Sequence, residues 1–181
     1  MLRALICSDR CRYGRGNSWL IGYLLFPGFR FSFWFRLHQW ANASGKHRLV
    51  RVFLTWCVLR QSLKTGIQIN PGAQVGPGLY MPHFGGIVVN PKAVIGANCY
   101  LSHNVLIGKV HAGKRAGVPV VGDNVFIGAG AVILGNIAIG NNADIGVNSV
   151  VIDDVSAGVL VAGAPARVVA EKSSDEILGL K

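Results

Sequence analysis

One spacing constrains this chain more than any other feature. Aliphatic residues return at every sixth position in three runs: Ile69, Val75 and Met81; Val89, Ile95, Leu101 and Ile107; and Val121, Ile127, Ile133, Ile139, Ile145 and Val151. Glycine follows many of them, at Gly76, Gly96, Gly108, Gly122, Gly128, Gly140 and Gly146. A helix repeats near 3.6 residues and a half-buried strand near 2, so a sustained period of six fits neither alone. It fits a short strand and a corner, repeated, with the aliphatic side chain inside and a small residue making the turn. Three such units close a triangular coil of about 18 residues, and stacked coils form a parallel β-solenoid. The expected fold class is mainly β.

Two interruptions of the period are informative. The step from Met81 to Val89 is eight, which inserts two residues just after His83. The step from Ile107 to Val121 is fourteen, which releases "KVHAGKRAGVP" as a loop at a corner. Loops on a rigid scaffold commonly carry function. With the insertion discounted, Met81 and Leu101 hold the same place in successive coils. His83 and His103, each two residues further on, are then expected as neighbours on one wall, because adjacent strands lie about 4.8 Å apart. The matching positions in later coils are Ala129 and Val147, each preceded by a glycine, Gly128 and Gly146, and a further step reaches "VAGAPAR" near Gly163. Two histidines thus open a row that continues as a channel of small residues, suited to a long, thin ligand arm. On this pattern alone, His83 is either a ring satisfied on the solenoid wall or a base.

The N-terminal third is different in kind. Residues 1–66 hold eleven Lys/Arg and one acid, Asp9, while residues 67–181 hold seven of each sign. The whole net charge of +10 therefore belongs to the first part. We divide the chain into a basic, aromatic-rich helical region at 1–65, the solenoid at 66–169 and a short tail at 170–181. Residues 30–64 read as helical with a turn at "ASGK". Val50, Phe53, Leu54, Cys57 and Val58 follow the i, i+3, i+4, i+7 spacing of an amphipathic face. Such a region either caps the solenoid or a sister subunit, or rests peripherally on anionic membrane at its cytoplasmic face. So much Phe, Trp and Leu argues against nucleic acid. "WLIGYLLFPGFRFSFWF" is broken by Pro27, two glycines and Arg30, so it reads as lying on a surface rather than spanning one. The opening residues lack the apolar run of a secretory signal. Cys7, Cys11, Cys57 and Cys99 read as reduced, buried thiols of a cytoplasmic protein.

The ordered motifs "IQINPGAQVGPGLYMPHFGGIVVNPKAVIG", "VVGDNVFIGAGAVILGNIAIGNNADIGVNSVVIDDV" and "AGAPARVV" resemble the serine acetyltransferase family of hexapeptide-repeat acyltransferases over roughly residues 66–169. The resemblance implies a left-handed parallel β-helix and a homotrimer with acetyl-CoA between adjacent subunits. It also implies a histidine that deprotonates an acceptor hydroxyl for direct attack on the thioester. His83 matches that histidine, and the chemistry needs one, since a hydroxyl is a weak nucleophile and imidazole can take its proton near neutrality. His103 stands beside it as an assisting group. Gly128, Ala129, Gly146 and Val147 match the path of the pantetheine arm, and Arg167 matches a basic position near the cofactor phosphates. Gln68, Lys114 and Arg115 are the residues expected to meet the acceptor, and the His83 ring is left to be oriented by a backbone carbonyl, Gln68, His103 or an acid of a neighbouring subunit. No metal is expected: the closely spaced histidine pair of the zinc-binding β-helix enzymes is absent, with His103 and His111 eight residues apart.

Departures from the serine enzymes shape the expected acceptor. Gln68 stands where they have an aspartate paired with the catalytic histidine, and Pro82 where an acid precedes it. The projecting loop has Lys114 and Arg115 but Ala116 where the family carries a histidine. No acidic residue lies between Asp9 and Asp123 to hold an ammonium group. His103 in "SHNVLIG" is closer to the exopolysaccharide (colanic acid type) O-acetyltransferases. The acceptor expected from the sequence is therefore a sugar hydroxyl of a surface polysaccharide or its lipid-linked precursor, with serine as the alternative.

Overall fold

The structure is a computed structural model and describes residues 2–14 and 19–171. It opens with four helices: α1 (Leu2–Cys11), α2 (Trp19–Leu25), α3 (Pro27–Ala43) and α4 (Arg48–Thr65). Pro27 suits the first turn of α3, where a missing N–H costs no helical bond. His47 accepts from Leu49 N at the start of α4, and Gly66 ends it in the left-handed region at φ 67°. The turn expected at "ASGK" separates α3 from α4.

The solenoid begins at Ile67. Its first coil holds β1 (Ile67–Ile69), β2 (Gln74–Val75) and a single parallel bridge at Tyr80. The second holds β3 (Ile87–Val89), β4 (Val94–Ile95) and β5 (Tyr100–Leu101), and the third β6 (Leu106–Gly108), β7 (Val120–Val121) and β8 (Phe126–Ile127). The fourth holds β9 (Val132–Leu134), β10 (Ala138–Ile139) and β11 (Asp144–Ile145). β12 (Val150–Val151), β13 (Val159–Gly163) and β14 (Ala166–Glu171) complete the chain's described strands. Three walls result, in the orders β1-β3-β6-β9-β12, β2-β4-β7-β10 and β5-β8-β11-β13, and β14 closes the third wall by running antiparallel on β13. Every other pairing between named strands is parallel.

The hexad aliphatics fill the prism. Ile69, Met81, Ile95, Leu101, Ile107, Val121, Ile127, Ile133, Ile145 and Val151 are all buried in one core. Phe31, Phe35 and Val58 enter the same core from the helices, so α3 and α4 plug the end of the prism. The buried face of α4 is Leu54, Cys57, Val58, Gln61 and Thr65. That corrects the expected face, because Val50 and Phe53 point to solvent. The cysteines are also corrected in part: all four are free, but only Cys57 and Cys99 are buried, and Cys11 is exposed.

α1 satisfies the first coil, which has no earlier coil to hydrogen-bond. Ser8 Oγ accepts Gly78 N at 3.1 Å and Asp9 Oδ1 accepts Leu79 N at 2.9 Å. Tyr13 Oη accepts Met81 N at 3.0 Å and donates to Met81 O at 3.1 Å. Asp9 is held in turn by the Arg36 guanidinium through two bonds of 2.8 and 2.9 Å, with both side chains fully buried. Arg36 also donates to Val75 O at 2.6 Å. These are the unpaired edge groups that a parallel stack leaves at its end, and burial makes their satisfaction obligatory.

Candidate active site

The row of histidines and small residues exists as the spacing requires. Leu101 N donates to Tyr80 O at 3.0 Å, which sets the first two coils in register. Gly130 N donates to His103 O at 3.0 Å and Asn148 N to Ala129 O at 2.8 Å, which carries the register through the corner. His83, His103, Ala129 and Val147 therefore follow one another along the stack. The rings of His83 and His103 meet edge to face, with centroids 5.7 Å apart and planes 84° apart. Both residues are exposed. Among the described residues neither ring has a hydrogen-bond partner in its own chain, so His103 is what His83 touches.

The insertion after His83 has a structural use. Gly85 N donates to Thr65 O at 2.8 Å, and Asn104 N donates to Gly85 O at 3.0 Å, so the extra residues bind the last turn of α4 on one side and the next coil on the other. A Cβ on Gly66 would stand 2.9 Å from Gly85 Cα, which is why the left-handed helix end must be glycine here. Gln68 lies on the outer side of the first wall, in register with Val88, and makes no hydrogen bond to His83. Of the groups that could orient His83, His103 is in ring contact with it and Gln68 is not bonded to it within the protomer.

The small-residue channel is a product of close coil stacking. A Cβ on Gly128 would approach Val147 N to 2.8 Å, so glycine is what lets the two coils close at this corner. Ala129 is half-buried and Val147 is 65% exposed, which leaves the row open along its outer side.

The basic residues gather elsewhere. The projecting segment folds back on itself through paired bonds between Val110 and Gly117, at 3.0 and 2.9 Å. It leaves the corner after β6, whereas His83 precedes β3, so the two sit at opposite edges of the first wall. Arg115 is held by Asp153 at 2.7 Å and Asp154 at 3.7 Å, and Arg167 reaches Asp153 at 3.8 Å. Arg115 and Arg167 thus meet at one acidic corner of the last coil. Within one protomer neither Arg115 nor Lys114 joins the histidine pair, because the closed loop and the Asp153 contact hold them at the other edge. His111 shares a shallow groove with Lys109, Asn90 and Leu106 on that side.

One feature of the site went unread in the sequence. Tyr13, Tyr80, Tyr100 and Phe126 form a continuous aromatic ladder with centroid separations of 4.7, 5.2 and 4.7 Å. Arg12 lies 5.6 Å from the centre of the Tyr80 ring. The signal was present: Tyr80, Tyr100 and Phe126 each stand immediately before a hexad aliphatic. They form the outer row of the third wall, next to the histidine row, and stiffen it by ring contact.

Comparison with known proteins bears on both fold and acceptor. Residues 119–153 match the bacterial transferase hexapeptide (six repeats) family. Serine acetyltransferase from Synechocystis sp. is 38% identical over 178 residues, which cover 93% of this chain and 68% of that protein. The crystal structure of Neisseria gonorrhoeae serine acetyltransferase in complex with serine superposes with a TM-score of 0.75 at 35% identity, covering 93% of this chain and 67% of the other. The Brucella abortus serine acetyltransferase structure in complex with coenzyme A gives 0.76 at 33%, covering 95% and 67%. The coil is the left-handed β-helix expected.

These likenesses overturn the sugar-acceptor expectation and its tie to exopolysaccharide O-acetyltransferases. The relatives matched are named for serine, and one of the structures holds serine. The histidine pair lies on the outer surface of the protomer, and the absence of acids between Asp9 and Asp123 leaves Asp123, Asp144, Asp153, Asp154 and Glu171 uncounted.

Proposed function

The chain belongs to the serine acetyltransferase family of hexapeptide-repeat acyltransferases, and on that footing we propose that it transfers the acetyl group of acetyl-CoA to the hydroxyl of L-serine. The observation that carries the reading is the exposed His83–His103 pair at the head of a continuous row of small residues. In this reading His83 takes the proton from serine Oγ as that oxygen attacks the thioester carbonyl. Donors in the closed site balance the charge of the tetrahedral intermediate. The C–S bond then breaks, the departing sulfur takes the proton from the imidazolium, and O-acetylserine and CoA leave. His103 packs against the His83 ring edge to face and limits its rotation. The pantetheine arm runs past Gly128, Ala129, Gly146 and Val147.

A homotrimer completes the site, with the open outer side of the row covered by the adjacent subunit. In that assembly the loop carrying Lys114 and Arg115, and the Arg115–Asp153–Arg167 corner, belong to the wall that a neighbour presents. The phosphates of CoA would find Arg167 there, and the serine carboxylate Lys114 or Arg115.

The test is the rate of CoA thiol release from acetyl-CoA with L-serine, compared with D-serine, free sugars and no acceptor. Turnover that depends on L-serine supports the reading. A rate with L-serine equal to acceptor-free hydrolysis, in protein that binds CoA, ends it.

A further inference from the structure

The helical region has two apolar faces, and among the described residues only one is packed against the rest of the protein. Opposite the buried face of α4, the residues Leu49, Val52, Phe53, Trp56, Leu59 and Leu63 are 52–81% exposed. Their spacing of three and four makes a single stripe along the helix. α2 adds Leu20, Leu24 and Leu25, each at least 60% exposed. The two helices share one surface, because Tyr23 of α2 and Trp34 of α3 line an open groove of about 310 Å³ with Phe53 and Trp56 of α4. A contiguous apolar surface of this kind marks an interaction site.

The charges beside the stripe say what kind of partner it fits. On a helical projection Arg60 falls within the stripe, with Arg48 and Lys64 at its two edges, and all three are exposed. The Arg60 guanidinium lies over the Trp56 ring, 5.5 Å from its centre. No acidic residue occurs between Asp9 and Asp123, and Asp9 is already held by Arg36 inside the fold. A second copy meeting this surface face to face would set arginine against arginine with no carboxylate between them. An anionic bilayer offers the complement: phosphates for the flanking cations and an acyl boundary for the leucines and Trp56. Among the described residues no helix is long and apolar enough to cross a membrane, so the fit is to lying on the surface.

We propose that the outer faces of α2 and α4 seat this protein on the surface of an anionic phospholipid bilayer, with Trp56 at the centre of the contact and Arg48, Arg60 and Lys64 at the lipid phosphates. The inference stands apart from the acyl-transfer reading and uses none of its residues.

The experiment is co-sedimentation of the full chain with vesicles of phosphatidylglycerol or of phosphatidylcholine, at low and high salt, read together with Trp fluorescence. Binding to phosphatidylglycerol vesicles is expected, much weaker with phosphatidylcholine, and screened by salt. Trp56→Glu and Leu63→Glu are each expected to lose roughly tenfold or more of that binding, with unchanged circular dichroism and acetyl transfer because both side chains are exposed. Absence of binding to phosphatidylglycerol vesicles at low salt overturns the proposal, as does equal binding to both lipids or undiminished binding by both folded variants. Assembly beyond the wild-type trimer that Trp56→Glu abolishes, without vesicle binding, also overturns it and assigns the face to a second copy.

Discussion

The phenol of Tyr13 grips both sides of one backbone unit: it donates to Met81 O at 3.1 Å and accepts from Met81 N at 3.0 Å. Met81 is two residues before His83, so the end of α1 fixes the segment that carries the proposed base. Tyr13→Phe leaves two buried backbone groups unpaired, at a cost of about 1–3 kcal/mol. The expected outcome is a lower melting temperature together with a fall in kcat that exceeds any change in KM for acetyl-CoA. Thermal melts and steady-state kinetics check both.

His83→Ala is expected to lower kcat about a hundred- to ten-thousand-fold, the usual contribution of a general base. CoA affinity and oligomeric state should be those of the wild type, because the side chain is exposed and bonds nothing in its own chain. His103→Phe keeps a flat ring against His83 and is expected to lose much less. Equal losses in the two variants would give His103 a share in proton transfer.

Ala129→Leu places a branched side chain on the row between His103 and Val147. The substitution is expected to raise KM for acetyl-CoA by roughly tenfold or more through steric exclusion with little change in fold, since Ala129 is half-buried at the open side. Isothermal titration with CoA measures the effect without turnover. Gly128→Ala, one residue earlier, should instead disturb coil stacking.

Asp9→Ala removes one partner of a fully buried ion pair and strands the Arg36 guanidinium. The expected cost is about 3–5 kcal/mol, read as a shift in the denaturant midpoint.

Stability should also fall with acid through His38. Burial and the nearby Arg51 hold its imidazole below the ordinary value. The unfolded chain therefore takes up this proton first as the pH drops, and the folded state loses stability below about pH 6.5. Urea midpoints for the wild type and His38→Gln, compared near neutrality and near pH 5, isolate the effect: the wild type should lose more of its midpoint on acidification.

The solenoid was legible because one buried aliphatic per strand repeats without error over most of its length. The histidine row was legible for the same reason, since stacking turns fixed spacing into adjacency. The Asp9–Arg36 and Tyr13–Met81 contacts were not, because they join segments of no common period and depend on how the helices close the first coil. The apolar face expected on α4 mixed Val50 and Phe53, which are exposed, with Leu54, Cys57 and Val58, which are buried, since both faces of that helix are apolar and periodicity alone does not say which turns inward. The acceptor was misjudged because Gln68, Pro82 and Ala116 were taken as signs of a different substrate, and a stretch without acids between Asp9 and Asp123 says nothing of the acids from Asp123 onward.

The antiparallel pairing of β14 on β13 has a bearing on how the molecule behaves in a crowded cell. A stack of identical parallel coils is a template that invites another chain's coil to add at its end. Here α3 and α4 plug one end with Phe31, Phe35 and Val58. At the other, the reversed strand and its register shift between Leu160 and Val161 break the pattern that an incoming coil would have to copy. The repeat that builds the protein is thereby kept from propagating into a fibre.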